Sequence, residues 1–517
     1  MDTTAAVACD ATSARCASSV APPKCIKIVD RVCKTYSLQL DPGLKPTGPS
    51  GHVCMQDIFK PLYERSKCIV QAGLSCDGTS VLWPYKKCND MVSLGMELKE
   101  EVVVFDHQAE TLKKMNCDGN TRSCNVKMPC AAGKTLLGLL HICELQTSAI
   151  IFTNSNMASQ HWLDQVHQFF KPPENGVVIL SPDSDGLPTV SLKTLVYEQP
   201  SIVICTYQLM TSTQEHTESL MEVIEYVSCK PWGVKILDEA QTATAHSHKK
   251  VLAFQSYTTV TVSASYKRED DEIKHLFEQV SEEIITVDRE DLVKKKLLPG
   301  LRRVEVHIDP FGTRRRDLTF NERQLSAIVN PKKMSVCLSL INYHMQLKDK
   351  VIMCCDSLRA VDLYLAIMQQ FQFESRLELC GKITMHTPLA ERLKTLDAFR
   401  QSSGGSVLLM ARVGDVSIDL PGANILIQTS CVDKSKNQEI QRTGRIQRRS
   451  SKQGKHISYC LITAGSEEAQ NVVPRRNYMT EEGYVTTVVI ASQTRDSRYD
   501  DTSHAGFAHA VCQSIPE

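Results

Sequence analysis

The segment MPCAAGKT, residues 128–135, determines how the rest of this sequence is interpreted. It runs directly into an apolar segment, residues 136–145, so we predict a loop followed by a helix. Backbone N–H groups in such a loop and at the helix start can wrap a phosphate, and Lys134 can reach β- and γ-phosphate oxygens. Met128 stands where the full pattern has Gly, so the loop alone is also compatible with a chance match. The predicted nucleotide-binding residues are Pro129, Cys130, Ala131, Ala132, Gly133, Lys134 and Thr135, with the Thr135 hydroxyl as a Mg²⁺ ligand.

A second motif, VKILDEAQ at residues 234–241, places two carboxylates at the end of an apolar run. The run predicts a buried strand that presents Asp238 and Glu239 where it ends. We expect Asp238 to bind Mg²⁺ and Glu239 to orient or deprotonate the water that attacks a phosphate. The alternative is a solvated acidic turn, which the loop upstream makes less favourable.

Short β-branched runs alternate with longer amphipathic segments from residue 102 onward, the pattern of α/β units around a parallel sheet. Five runs predict the strands of a first lobe: 149–153, 177–180, 202–206, 234–237 and 259–263. Five more predict a second lobe: 351–355, 377–379, 407–410, 425–428 and 456–462. Residues 157–170 are predicted to form a helix of the first lobe, with Trp162 in its core.

We predict five regions along the chain. They are a cysteine-rich N-terminal region of unassigned fold (1–100), the first lobe (101–300), a basic linker (301–333), the second lobe (334–470) and a polar, partly disordered tail (471–517). Residues 289–333 contain 12 Lys/Arg against 6 Asp/Glu. A solvated connector and a phosphate-contacting surface explain this excess equally well.

The composition is that of a globular protein. Of 517 residues, 42% are hydrophobic and 23% charged, which excludes collagen, coiled-coil rods and a chain disordered throughout. Lys+Arg and Asp+Glu both number 59, so any nucleic-acid surface must be a local patch. The N-terminus lacks a basic start followed by an apolar block, and we expect neither secretion nor membrane insertion. None of the 21 cysteines forms a CxxC pair before residue 100, so we expect mostly buried thiols there and elsewhere, and not zinc.

A basic motif, QRTGRIQR at residues 441–448, lies in the second lobe. It is predicted to place Arg445 and Arg448 on one helix face, where the pair could straddle a γ-phosphate, with Gln441 beside them. Residues 434–455 carry 8 Lys/Arg and 1 acid, so the motif alone is also compatible with a plain basic helix.

The order of these motifs over residues 104–485 resembles the superfamily-two helicases, specifically the xeroderma pigmentosum group B family. The resemblance assigns Gln108, in FDHQAETLKKM, to adenine recognition, and Asn154 and Ser155, in NSNMASQHWLDQ, to nucleic-acid contact. It assigns the triplet Arg268-Glu269-Asp270, which follows the hydroxyl motif Ser263-Ala264-Ser265, to duplex opening. Within residues 413–430 it places Gly414 and Asp415 near the nucleotide.

The resemblance implies two tandem RecA-like domains, parallel sheets flanked by helices, that close on ATP and Mg²⁺. It implies a nuclear 3'-5' DNA helicase that contacts the phosphate backbone of duplex and single-stranded DNA without membrane association. Its expected partners are subunits of TFIIH or of a repair complex. The alternative from another class is a scaffold subunit with weak ATPase activity, motivated by the departures from the family at residues 105–107, 131 and 241. A DNA-translocating restriction subunit is a third, less favoured option.

Overall fold

The computed structural model describes several short strands between residues 6 and 82 and most of the chain beyond them. The later described residues are 93–116, 121, 123–172, 176–181, 201–212, 216–230, 232–243, 249–266, 276, 280–281, 284–312, 318–375, 378–384, 386–402, 405–411, 420, 422–432, 436–447 and 455–491.

Six strands in the N-terminal region form one antiparallel sheet in the order β1-β2-β3-β6-β5-β4. They are β1 (Ala6–Val7), β2 (Ile26–Val32), β3 (Thr35–Gln39), β4 (Val53–Cys54), β5 (Gln71–Leu74) and β6 (Ser80–Leu82). The side chains of the eight cysteines before residue 100 lie outside what the structure describes. The described cysteines are free thiols and most are buried, as expected.

The chain divides into two compact units, Met1–Met128 with Gly133–Val287, and Pro129–Ala132 with Asp288–Glu517. The strands of the first unit that follow residue 93 are β7 (Glu97–Leu98), β8 (Cys124–Lys127), β9 (Ala149–Thr153), β10 (Phe170–Lys171), β11 (Val177–Leu180), β12 (Ile202–Thr206), β13 (Trp232–Asp238), β14 (Ser256–Ser263) and β15 (Ile284–Thr286). Its helices are α1 (Asp106–Asn116), α2 (Lys134–Leu145), α3 (Asn156–Phe169), α4 (Tyr207–Thr211) and α5 (Glu218–Cys229), with short 3₁₀ turns at Ala240–Thr242 and Lys249–Ala253.

Seven parallel strands form the main sheet of the first unit in the order β11-β12-β9-β13-β14-β8-β15. β9 and β12 are buried along their whole length, as expected for strands covered by helices on both faces. Their apolar runs allowed the sequence to predict β9, β11 and β12 with their observed bounds, and α3 within one residue at each end. Trp162 lies in the core as predicted.

The second unit contains a second parallel sheet. Its strands are β16 (Leu301–Ile308), β17 (Lys350–Cys354), β18 (Glu378–Ile383), β19 (Ser406–Met410), β20 (Ile425–Gln428), β21 (His456–Thr463) and β22 (Val485–Ile490). Its helices are α6 (Arg289–Lys294), α7 (Phe320–Ile328), α8 (Pro331–Gln346), α9 (Leu358–Ser375), α10 (Leu389–Gln401), α11 (Lys436–Arg445) and α12 (Glu467–Glu481).

The two seven-stranded sheets share one topology. The order in the second unit is β18-β19-β17-β20-β21-β16-β22. When each set of strands is renumbered along the chain, both sheets read 3-4-2-5-6-1-7. The prediction of two similar α/β lobes is therefore confirmed, and positions in one unit have topological counterparts in the other.

Residues 301–308, predicted to belong to a basic linker, instead form the strand β16 inside the second sheet, between β21 and β22. The prediction counted Arg303 and Glu305 as exposed charges, whereas both are fully buried and paired with other charges. The predicted tail likewise contributes α12 and β22 up to Ile490. The polar stretch at residues 495–506, predicted to be disordered, lies outside the described residues. In the described part of the chain no helix is both long and apolar enough to cross a bilayer.

The buried His141 on α2 makes folding depend on pH. Neither ring nitrogen has a hydrogen-bond partner among the residues that the structure describes, and burial lowers the pKa of His141 to about 4. The unfolded chain, with an ordinary pKa of about 6.5, binds the proton first, so the stability due to neutral His141 is lost as pH falls below that value.

We expect His141→Leu to remove this dependence. Between pH 7 and pH 4 the free energy of unfolding of the natural chain should fall by up to about 3 kcal/mol more than that of the variant. Urea unfolding of both proteins at a series of pH values measures the difference. Parallel curves for the two proteins would contradict the assignment.

Candidate functional site

The predicted motifs of the first unit meet at one edge of its sheet. β13, β14 and β8 are consecutive neighbours, and all three are parallel. Their carboxyl ends therefore share an edge, where ligands of α/β sheets usually bind. Asp238 ends β13, Ser263 ends β14, and the loop at residues 128–133 follows β8.

The loop that follows β8 has the backbone conformation of a phosphate cradle. Ala131 and Gly133 both have positive φ, 61° and 91°. The φ of Gly133 favours glycine, and a Cβ there would lie 2.1 Å from Nε2 of Gln108, so any other residue would be strained and would displace the Gln108 side chain. Gly133 is also the N-cap of α2 and offers no side chain to the first N–H groups of the helix. A helix start that follows such a loop is a common place for an anion to bind, and phosphate binding by these N–H groups stays a prediction.

The carboxylate of Asp238 is buried and held by two donors. Trp162 Nε1 donates to Oδ2 at 2.9 Å, and the backbone N–H of Glu239 donates to Oδ1 at 3.0 Å. Burial, and next the charge of Glu239, raise the pKa of Asp238 to about 6, although Lys134 and Trp162 favour its ionised form. A carboxylate with this environment is stabilised further by any cation that approaches it.

Glu239 lies between a cation and an amide. Its Oε1 is 3.2 Å from Nζ of Lys134, and its Oε2 accepts a hydrogen bond from Nε2 of Gln241 at 2.8 Å. Gln241 Oε1 in turn accepts from the Ser263 hydroxyl at 2.6 Å. Glu239 itself adopts positive φ, 47°, a strained conformation for a non-glycine residue. The acidic turn is therefore a fixed part of a polar network, and the interpretation as a solvated turn is wrong.

Two aromatic residues that the sequence did not assign to the site support it. Trp162 contacts Asp238 from α3, and the Tyr207 hydroxyl donates to the backbone oxygen of Asp238 at 2.8 Å. Both rings are buried. An indole or phenol in a core requires an acceptor, and this requirement is the signal that would have suggested them.

Gln108 of α1 is buried beside the loop. Its Oε1 accepts from the Phe105 N–H at 3.1 Å, and its Nε2 lies 3.4 Å from the Gly133 carbonyl oxygen. The structure therefore places Gln108 at the site, and its role in adenine recognition stays a prediction. Asn154 and Ser155 follow β9, next to β13 at the same edge. The Ser155 hydroxyl caps α3 by accepting from the Ala158 N–H at 3.2 Å.

The residues at this edge fit a Mg²⁺–nucleotide ligand by the chemistry of their donors. Mg²⁺ is usually bound through one or two carboxylates together with substrate phosphates and water. Asp238 provides one carboxylate, and the half-buried Thr135 in the first turn of α2 provides a hydroxyl. Among the described residues no three His, Cys, Asp or Glu side chains converge on one point.

The basic motif of the second unit lies on and just after α11. Gln441 and Arg445 are in this helix, and Arg445 is its last residue. The prediction that Arg445 and Arg448 share a helix face stays a prediction, because of these two only Arg445 belongs to the described part of the motif. Arg448 lies outside the described residues, as do Gly414, Asp415, Arg268, Glu269 and Asp270.

Comparison with known proteins identifies relatives. Residues 311–510 match the ERCC3/RAD25/XPB C-terminal helicase family. The general transcription and DNA repair factor IIH helicase/translocase subunit XPB of Encephalitozoon cuniculi is 29% identical over 412 residues, 78% of this chain and 58% of that protein. The Saccharomyces cerevisiae subunit XPB/SSL2 is 28% identical over 405 residues, 77% of this chain and 46% of that protein. The chain thus spans about half the length of such relatives.

Solved structures share the fold at low sequence identity. The ATP-dependent Type ISP restriction-modification enzyme LlaBIII bound to DNA superimposes with a TM-score of 0.55 at 14% identity, over 80% of this chain and 33% of that one. S. cerevisiae Dbp5 bound to RNA and ADP BeF3 gives 0.52 at 13% identity, over 74% of this chain and 89% of that one. Together with the shared strand order, these matches identify both units as RecA-like domains.

The hydrogen bond between Trp162 and Asp238 predicts a stability effect that depends on pH. In metal-free protein, Trp162→Phe removes a donor from a carboxylate that ionises near pH 6. The decrease in the free energy of unfolding should therefore grow from pH 5 to pH 8 and reach about 1–3 kcal/mol. Trp232→Phe is the control, because the Trp232 indole donates to the neutral carbonyl of Val227 at 3.0 Å. The decrease in the free energy of unfolding caused by Trp232→Phe should be the same from pH 5 to pH 8. Urea unfolding followed by circular dichroism tests both variants, and equal pH dependence would exclude the charge as the cause.

Proposed function

The chain is a relative of the XPB-type superfamily-two helicases, and on this premise we propose that it hydrolyses ATP to translocate on and open duplex DNA. One observation carries the proposal. Lys134 and the adjacent pair Asp238-Glu239 come from two distant segments of the sequence and meet beside a phosphate-type loop at one sheet edge. This is the set of groups that phosphoryl transfer from a nucleotide requires.

Each residue of the edge has a part in this chemistry. The loop N–H groups and Lys134 bind the phosphates, Thr135 and Asp238 hold Mg²⁺, and Gln108 reads the adenine. When bound there, Mg²⁺ would supply positive charge that offsets the negative charge developing on the phosphates. The hydrogen bond from Trp162 fixes the orientation of the Asp238 carboxylate.

Glu239 is the group that orients and deprotonates the attacking water. Its carboxylate is paired with Lys134 in the structure. Phosphates that attract Lys134 weaken this pair, while Gln241 continues to hold the other carboxylate oxygen. An ionised Glu239 at the sheet edge is suited to receive a proton from that water.

In the second unit, Gln441, Arg445 and Arg448 act on the γ-phosphate as arginine-finger groups, and Gly414 and Asp415 contribute near the nucleotide. Asn154 and Ser155 contact the DNA backbone, and the triplet at residues 268–270 acts in strand separation. By kinship with the XPB subunits, translocation is 3'-5', the setting is nuclear, and the partners are subunits of a TFIIH-like or repair complex. Sequence-independent DNA binding follows from contacts to phosphates.

The alternative function, a scaffold subunit with weak ATPase activity, is motivated by positions at which the sequence differs from the family. At two of these positions, 131 and 241, the geometry does not favour it. Ala131 adopts the positive φ that a glycine would provide, at a cost of roughly 1 kcal/mol. Gln241 links Glu239 to Ser263. The substituted positions thus keep the loop shape and the network around the acidic residues.

We expect Lys134→Ala to abolish DNA-stimulated ATP hydrolysis and leave the fold intact, because the side chain acts on phosphate charge and not on core packing. Lys171→Ala is the control, since Lys171 belongs to an exposed ion pair with Glu97 in the same unit. Steady-state phosphate release with and without duplex DNA measures the effect. Unchanged turnover in Lys134→Ala would refute the proposed activity.

The triplet Arg268-Glu269-Asp270 should separate strand opening from hydrolysis. Replacement of all three by Ala should impair unwinding of a tailed duplex and spare basal ATPase activity, since the residues that contact phosphates are retained. Both activities are measured on the same preparations. Parallel loss of the two activities would assign the triplet to hydrolysis instead, and loss of neither would make it a solvated turn.

A further inference from the structure

The helix α11, which carries the proposed finger Arg445, has almost no apolar surface. Its sequence, KNQEIQRTGR, contains one large apolar side chain, Ile440. Helices usually dock through an apolar stripe, as α8 and α9 do by contributing Leu340, Ile341 and Tyr364 to the core. α11 must therefore be held in place by polar contacts.

Glu439 provides the central polar contact. It is fully buried and accepts three hydrogen bonds: from Arg303 Nε at 2.9 Å, from Gln428 Nε2 at 3.1 Å and from Arg475 Nη1 at 3.2 Å. Burial opposes ionisation of Glu439, but Arg303 and Arg475 outweigh it and lower the pKa of this carboxyl. These donors come from β16, β20 and α12, so one carboxylate joins α11 to three other elements.

The charges around this carboxylate are themselves compensated. Arg303 also pairs with the buried Glu305, which accepts from Arg476 Nε at 2.9 Å. A second ion pair fixes α11 one turn further along, where Arg442 donates to the buried Asp356. Such pairs contribute little net stability compared with apolar packing, because both partners lose their hydration. They fix the orientation of the helix, because each hydrogen bond requires a particular angle and distance, whereas apolar contacts do not.

We propose that Glu439 is a positioning residue, which sets the rotation and depth of α11 and thereby places Arg445. The inference rests on the proposed ATPase function. Arg445 lies six residues beyond Glu439, ~9 Å along the helix axis, so a small rotation of α11 displaces its guanidinium from the site of phosphate charge. Even a small displacement of a guanidinium that stabilises the transition state lowers the rate of the reaction.

Glu439→Gln tests the inference, with Glu468→Gln as the matched control. Glu468 is also a buried, paired carboxylate of the second unit, 2.6 Å from Nζ of Lys333. It bonds to the backbone N–H groups of Cys431 and Thr463, outside α11. Glu439→Gln should lower kcat about tenfold or more with little change in KM for ATP, while Glu468→Gln should leave kcat near that of the natural chain.

A double-mutant cycle with Arg445→Ala distinguishes positioning from a general loss of stability. If Glu439 acts through Arg445, adding Glu439→Gln to Arg445→Ala should reduce kcat by no more than about twofold. Multiplication of the two single effects would overturn the inference. If Arg445→Ala alone left kcat unchanged, the finger assignment would fail, and this inference with it.

Hydrogen exchange provides a measurement that does not depend on turnover. Glu439→Gln should increase amide exchange in α11, and Glu468→Gln should not. Unchanged exchange in α11 overturns the inference, even if the chain hydrolyses ATP. Increased exchange in a chain that hydrolyses no ATP would support the role of Glu439 in holding the helix and overturn only the proposed function.

Gln428→Met provides a second test of the inference in case Glu439→Gln does not fold. This variant removes one donor to Glu439 and keeps both arginines and the side-chain volume. It should reduce kcat several-fold, again without further effect in Arg445→Ala, and increase exchange in α11. If Gln428→Met folds and leaves both kcat and exchange unchanged, the inference is overturned.

Discussion

The carboxylate of Asp238 is the group on which the arrangement of the first unit depends. A carboxylate at the end of a buried strand must be hydrogen-bonded, because an unpaired buried charge is too costly to retain. Trp162 and the Glu239 N–H supply the donors, and Tyr207 fixes the backbone of the same residue. α3, α4 and the acidic turn are thereby tied to one point at the sheet edge. The remaining electrostatic cost, visible in the raised pKa, is offset when a cation binds.

The second unit has the same strand order and also contains buried charges that must be paired. β16 occupies the position in its sheet that β8, the strand before the phosphate loop, occupies in the first unit. Where β8 leads to a phosphate-type loop, β16 carries buried Arg303 and Glu305, and these charges reach Glu439 on α11. In the first unit, the sheet edge thus collects the groups for which we propose a role in ATP hydrolysis. The second unit uses charges within its sheet to hold a polar helix.

The sequence predicted the parts of the fold that depend on local pattern. Apolar runs defined β9, β11 and β12, and the glycine and lysine of MPCAAGKT defined the loop and the start of α2. The prediction from sequence failed where an element is determined by contacts between residues that are distant in the chain. β16 was missed because LRRVEVHI has four charged or titratable side chains out of eight. The two that are fully buried, Arg303 and Glu305, are compatible with a core because they pair with each other and with Glu439 of α11 and Arg476 of α12. Trp162 was recognised as a core residue, but its partner could not be identified, since the distance to Asp238 is set by the packing of α3 on the sheet.

The strand order also determines how each unit carries mechanical load. The last strand of the first unit, β15, is parallel to β8 through three residue pairs, and the Val287 N–H extends the ladder to the Lys127 carbonyl at 2.9 Å. Chain tension transmitted through residue 287 is therefore borne in shear by the strand that immediately precedes the phosphate-type loop. In the second unit, β22 is likewise parallel to β16, the strand that carries Arg303. Tension on the backbone at the last strand of either sheet is thus taken up beside the strand that precedes the phosphate-type loop in one unit and beside the strand that carries Arg303 in the other.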